Sequence, residues 1–137
     1  MNTARIGVTA AFTRGMPNFL TRPEVPPVQK DLALYHALPY GLHDGLGMKV
    51  HPQIFIDITS AIDRKEQMLA FHRSQRNWLD DSQGIDSYLQ TMRDMSAQVG
   101  ADSGRFAFAE GWIRHNPLGY SSPDYTPLEN LLGDYLR

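Results

Sequence analysis

Five histidines are the first residues with chemistry to offer: His36, His43, His51, His72 and His115. His36, His43 and His51 follow one another at intervals of seven and eight residues. That series matches no standard metal spacing, and the His-Glu-x-x-His pattern is absent. The plainer reading is one strand histidine and two loop histidines. A metal site built from the three is the sharper alternative. His51-Pro52 opens like a metal-binding His-Pro-Asp-Asp sequence, but Gln53 and Ile54 stand where both carboxylates would be.

Asp80-Asp81 is the adjacent carboxylate pair. Paired acids can divide acid and base roles when their surroundings separate their pKa values. After Trp78, in a polar loop, they read more simply as solvated or as helix caps. His72 follows Leu69 and Met68 at helical spacing, so it falls on or beside an apolar stripe, with Gln75 one turn on. A buried histidine and glutamine need partners. They either tie their helix to a loop or orient a polar group near a substrate. Glu110 lies between Phe108 and Trp112. A carboxylate among aromatics projects into a cleft or pairs with a cation such as Arg114. No Gly-x-Ser-x-Gly, P-loop or Gly-x-Gly-x-x-Gly supports nucleophilic or nucleotide chemistry.

Composition bounds these readings. The chain has 137 residues, 42% hydrophobic and 20% charged, which suits one folded domain. Net charge is −2, without the basic excess of a nucleic-acid binder. Cysteine is absent, so disulfides, thiolate metal sites and cysteine nucleophiles are excluded. That suits a cytoplasmic protein. No stretch approaches a membrane span, and Met1–Phe12 is too weakly apolar for a secretory signal.

The elements that must position these residues read as α/β. The first third reads as loop and strand, with Pro17, Pro23, Pro26 and Pro27 keeping 13–27 extended. Leu32–Leu38 predicts a strand that stops at Pro39 and Gly41. Residues 41–53 predict a loop. Gln53–Ile58 predicts a strand with Ile54, Ile56 and Ile58 on one face. A helix follows from Ser60, where Ser60 and Asp63 resemble a capping box. Ile58, Ile62, Leu69 and His72 mark its stripe, with Ala61 and Met68. A second helix is expected from about Ile85 to Val99, with Ile85, Leu89, Met92 and Val99 on one face, Met95 or Ser96 between them, and Gly100 just past its end. Arg105–Trp112 alternates large and small like a strand, with Phe106, Phe108, Glu110 and Trp112 on one side. Residues 115–127 read as loop, and Leu128–Leu136 as a short helix.

At these residues the chain resembles a known family. Thr13-Arg-Gly-Met-Pro-Asn18, Tyr35-His-Ala-Leu-Pro-Tyr-Gly41, Phe55-Ile-Asp-Ile-Thr59 and Lys65 through His72-Arg-Ser-Gln75 look like the C-terminal part of PIG-L (LmbE-like) deacetylases. Trp78-Leu-Asp80, Ser82–Tyr88 and Phe106–Trp112 continue the likeness. It covers residues 11–120. Residues 1–10 stand apart as an N-terminal extension, and 121–137 as a tail with a short helix.

The resemblance implies a partial Rossmann-like sheet with flanking helices, the C-terminal half of that fold. It implies zinc-dependent removal of acetyl groups from amino sugars or glycoconjugates. Three protein ligands leave zinc an open position, where water is acidified and the amide carbonyl polarised. The family's Pro-His-Pro-Asp-Asp and His-x-x-Asp-His motifs do not occur in this chain. No metal ligand and no base therefore carries over. Supporting positions do: His36, His72, Ser74, Gln75 and Glu110 become candidates for the site wall or for groups that steady it. Zinc is expected for the intact family and none for this chain alone, which is expected to be inactive. An N-acetylated sugar substrate belongs only to the intact enzyme. The alternative from another class is a non-catalytic binding or assembly module, a homo-oligomer or one that docks onto a polypeptide carrying the missing half.

Overall fold

The computed structural model describes residues 2–18, 20–72 and 87–136. It is mixed α/β. A small three-stranded antiparallel sheet, ordered β1-β3-β2, is accompanied by helices. The strands are β1 (Tyr35–Ala37), β2 (Ile54–Asp57) and β3 (Ala109–Arg114). The helices are α1 (Asn2–Thr13), α2 (Ile62–Ala70), α3 (Ser87–Ser103) and α4 (Pro127–Leu132). Among the described residues no helix is long and apolar enough to cross a membrane.

The chain divides into two compact units. One comprises Met1–His36 and Arg114–Leu131, the other Ala37–Ile113 and Leu132–Arg137.

In the first unit, α1 corrects the expectation of loop and strand, and residues 2–10 belong to it. Ala4, Ala10 and Ala11 favour helix, and no proline intervenes before Pro17. Its last carbonyls need donors. Arg14 Nη1 supplies one to Ala11 O at 2.7 Å. The same guanidinium reaches Lys30 O (3.0 Å) and Tyr120 O (2.6 Å), so one residue ties the helix end to two distant loops. Phe12 packs edge-on against Tyr120, which is buried. The strand expected over Leu32–Leu38 forms only at Tyr35–Ala37 and stops before Pro39, as proline requires.

The second unit is built on β2 and β3. Ile54 faces Trp112, Phe55 faces Gly111, Ile56 faces Glu110 and Asp57 faces Ala109. Just before β2, Gln53 N–H donates to Trp112 O at 2.9 Å. Leu42, Val99 and Ala109 form the buried cluster, with Phe55, Met95 and Phe106 packed on it. The isoleucine face is thus not the sole inner face of β2: Ile54 is buried, yet Phe55 is the β2 side chain on this cluster.

The capping box at Ser60 does not form. Residues 59–61 make a 3-10 turn, and α2 starts at Ile62 without a side-chain cap. Asp57 Oδ1 instead accepts the Thr59 N–H at 2.9 Å, so the turn is set one step earlier. The helix also ends sooner than its stripe suggests. It stops at Ala70, leaving Met68 (64% exposed) and His72 outside the core.

The inner face of α3 is as expected at Met95, Ser96 and Val99, while Ile85 lies outside the described residues. Gly100 is not its stop signal. The helix runs through it to Ser103, and the glycine instead admits the backbone of Phe106 and Ala107, which lies too close for a Cβ. Ser103 ends the helix: its Oγ donates to Gly100 O and accepts the Arg105 and Phe106 N–H groups. Gly104, at φ 65°, then turns the chain.

Phe106 and Phe108 precede β3 rather than lying in it. The terminal helix forms as α4, followed by a 3-10 turn at Gly133–Tyr135.

Candidate functional site

In the second unit, α2 carries Lys65 and β3 carries Glu110. Lys65 Nζ lies 3.0 Å from Glu110 Oε1. It also lies 3.4 Å from Ser96 Oγ on α3. Ser96 is buried and donates to Met92 O at 2.8 Å, which fixes its oxygen as an acceptor for the ammonium. Three elements therefore converge on one ammonium group. Arg93 of α3 ties the two helices together by donating to both Asp63 and Glu66 of α2. The two carboxylates are three positions apart, on one side of α2, so the fork grips one helix face.

Lys65, Ser96 and Glu110 line a pocket of about 260 Å³. Leu42, Met95 and Val99 give it apolar walls. Lys65, Glu110 and Ser96 give it one polar side of no net charge. Lys65 and Glu110 are each about a third exposed, so water screens their attraction. The arrangement can receive a small molecule with an apolar body and a polar end. Ser96 gives its hydroxyl hydrogen to Met92 O and Lys65 is paired with Glu110, so the groups as placed can orient a ligand.

The two sequence alternatives for Glu110 are thereby combined: it faces a cleft and pairs with a cation. The cation is Lys65. Arg114 instead donates to Pro123 O (2.8 Å) and Tyr125 O (2.7 Å).

In the first unit, His36 Nε2 and His115 Nδ1 are 2.8 Å apart. One nitrogen must carry the hydrogen and the other accept it. Strand pairing brings them together: His115 N–H donates to Leu34 O at 2.8 Å. Tyr120 meets the His115 ring edge-on at 5.1 Å between centroids. Beside them, Tyr35 donates to Glu129 Oε2 at 2.7 Å. Burial holds the Tyr35 phenol above its ordinary pKa, and the bond to Glu129 adds to the effect.

The other candidates fare differently. His72 is exposed, contrary to its place on the expected stripe, because α2 has already ended. Ser74, Gln75, Asp80 and Asp81 lie outside the described residues. His43 turns its Nδ1 to its neighbour Gly41 O, at 2.5 Å. Among the described residues no group of three His, Asp or Glu side chains could hold a metal ion, so His36, His43 and His51 make no such centre. Among the described residues no donor set fits the zinc of the resembled family. His36 Nε2 and His115 Nδ1 satisfy each other, and among the described residues no third His, Asp or Glu completes them.

Sequence reasoning missed Lys65, Ser96 and His115 as partners. Lys65 lies inside the stretch 65–75 that carries the resemblance; Ser96 showed only as a core-facing helix position and His115 only as one of five histidines.

The chain matches no protein-family model, no curated protein and no solved structure.

Proposed function

We propose that this chain is the C-terminal portion of a PIG-L-type N-deacetylase, with a partial Rossmann-like sheet, and that it furnishes the wall of a hydrolytic cleft. The observation that supports this reading is the position of Glu110. It is a carboxylate from the last strand of the resemblance, held by Lys65 at the side of an apolar pocket. In the intact enzyme zinc would supply water activation and carbonyl polarisation. The residues of this chain would orient: Glu110 accepts a substrate N–H or O–H, Lys65 donates to an oxygen, and the apolar walls exclude water. Deacetylation of an N-acetylated amino sugar then requires a polypeptide bearing the metal ligands and the base. A zinc-supplemented deacetylase assay on the purified chain tests this, with no turnover expected. Turnover that a chelator abolishes would sink the proposal. The DNA immediately upstream gives a second test: an open frame encoding both metal motifs is expected, in phase or in a neighbouring gene.

A second reading, a non-catalytic assembly module, has its own support. Leu20, Leu46 and Leu131 are 91%, 90% and 83% exposed, and Phe71 is 77% exposed. Leu20 and Leu131 belong to the first unit, Leu46 and Phe71 to the second, and each offers apolar surface for a partner to cover. Light scattering decides: a monodisperse monomer at every concentration rules this reading out.

A further inference from the structure

We infer that the pocket at Lys65 and Glu110 binds a small apolar α-amino acid, its carboxylate on Lys65 and its ammonium on Glu110. The inference rests on the same pocket as the cleft reading above, but needs neither a metal nor hydrolysis.

The pair has bonding capacity to spare. A lysine ammonium has three hydrogens to donate. Lys65 Nζ stands 3.0 Å from Glu110 Oε1 and 3.4 Å from Ser96 Oγ, and meets no other acceptor among the described residues. A carboxylate can accept roughly four hydrogen bonds. Among the described residues Lys65 is the sole partner of Glu110. An unused donor and unused acceptor sites thus lie side by side. Both side chains line the pocket, and each is about a third exposed, so a ligand can reach them.

Their charges select what can use them. With the two groups 3.0 Å apart, a simple anion drawn to Lys65 is repelled by Glu110. A simple cation drawn to Glu110 is repelled by Lys65 in the same way. An uncharged polar end escapes both repulsions but brings no charge of its own to either bond. A zwitterion answers both groups. An α-amino acid carries its ammonium and carboxylate on one carbon, as close together as Lys65 and Glu110 are. Laid head to tail against the pair, each of its charges faces an opposite one, and every bond is charge-assisted.

The remaining walls select the side chain. Leu42, Met95 and Val99 are apolar, and Leu42 and Val99 belong to the buried cluster. Among the described residues Lys65 and Glu110 are the only charged side chains lining the pocket, so a charged ligand side chain finds no partner. A volume of about 260 Å³ falls below the roughly 300–1,000 Å³ of sites for larger ligands. A branched aliphatic side chain such as that of leucine meets these conditions.

Calorimetric titration of the full chain with L-leucine tests the inference. Saturable binding at one site is expected. Glycine lacks the apolar body, 4-methylpentanoate the ammonium and 3-methylbutylamine the carboxylate. Each is expected to bind about tenfold or more weakly than leucine. Lys65→Met and Glu110→Gln are each expected to weaken leucine binding by a similar factor. In the native chain, leucine is expected to shift amide NMR signals at Leu42, Ser96 and Glu110, which locates the site without a variant. Absence of saturable binding by leucine overturns the inference. Equal binding of either single-charge analogue overturns the zwitterion as the class. Leucine binding indifferent to both variants, or amide shifts confined to other residues, overturns the pocket as the site. Failure of leucine to bind leaves the hydrolase reading standing, whereas chelator-sensitive turnover by the chain removes that reading and leaves this one.

Discussion

Lys65 of α2 and Glu110 of β3 form an ion pair at 3.0 Å, with Ser96 of α3 as the ammonium's second acceptor. The contact joins a helix, a strand and a second helix at one pocket. Its partners are each about a third exposed, so its role is orientation more than stability.

Replacing Glu110 by Gln, or Lys65 by Met, should therefore cost little. The expected loss is below about 1 kcal/mol for each, and the coupling from the double variant about 0.5 kcal/mol. Urea denaturation at low and high salt measures both. A loss of several kcal/mol would mean that the pair is far better shielded from water than its exposure indicates.

Gly100→Ala should be much more costly, although alanine is the better helix former by about 1 kcal/mol. A Cβ there would stand 2.7 Å from the carbonyl oxygens of Phe106 and Ala107. Both are backbone atoms, so relief requires moving the chain that enters β3. A net destabilisation of about 1–3 kcal/mol is expected from chemical denaturation. A stabilised variant would place that chain further from α3 than described.

The same glycine marks where sequence reading loses its grip. Gly100 looks like a helix stop because glycine often ends helices. Its real reason is a close approach by a segment beyond the helix, which no local pattern encodes. β2 was legible because β-branched residues alternate without breakers over Gln53–Ile58. The inner face of α3 was legible through Met95, Ser96 and Val99. Ser60 misled because Asp57 captures the Thr59 N–H first. α2 misled at His72 because the stripe outlasts the helix. Glu110 pairs with Lys65 rather than with Arg114. An ion pair across the fold leaves no trace in spacing, and Arg114 was merely nearer in sequence.

Asp57 should link stability to acid pH. Hydrogen bonds from the Thr59 side chain and backbone hold its carboxyl below its ordinary value of 3.8. The folded state therefore sheds this proton more readily than the unfolded chain. The resulting stabilisation is present above pH 3.8 and is lost as pH falls through the lower folded value. Asp57→Asn keeps an oxygen acceptor without the titration. Denaturation midpoints between pH 5 and pH 2.5 should then fall less steeply for the variant than for the native chain (about these limits). Parallel curves would show that Asp57 is not held as described.

Tyr35 should act at the opposite end of the scale. Burial raises its pKa above the ordinary 10.0, and its hydrogen bond to Glu129 raises it further. The folded state therefore keeps the phenol proton longer than the unfolded chain does. Stability from this group is intact below pH 10.0 and declines as pH rises beyond it, because only the unfolded chain ionises freely. Tyr35→Phe removes both the ionisation and the bond to Glu129. At neutral pH the variant should lose about 1–2 kcal/mol, near the low end for a bond to a carboxylate because the site is only half-buried. Above pH 10.0 the gap should close, since the native chain alone bears the titration penalty. Thermal melts of both proteins from neutral to alkaline pH give the measurement. A gap that widens with alkalinity would reverse the sign and refute the buried, hydrogen-bonded placement of Tyr35.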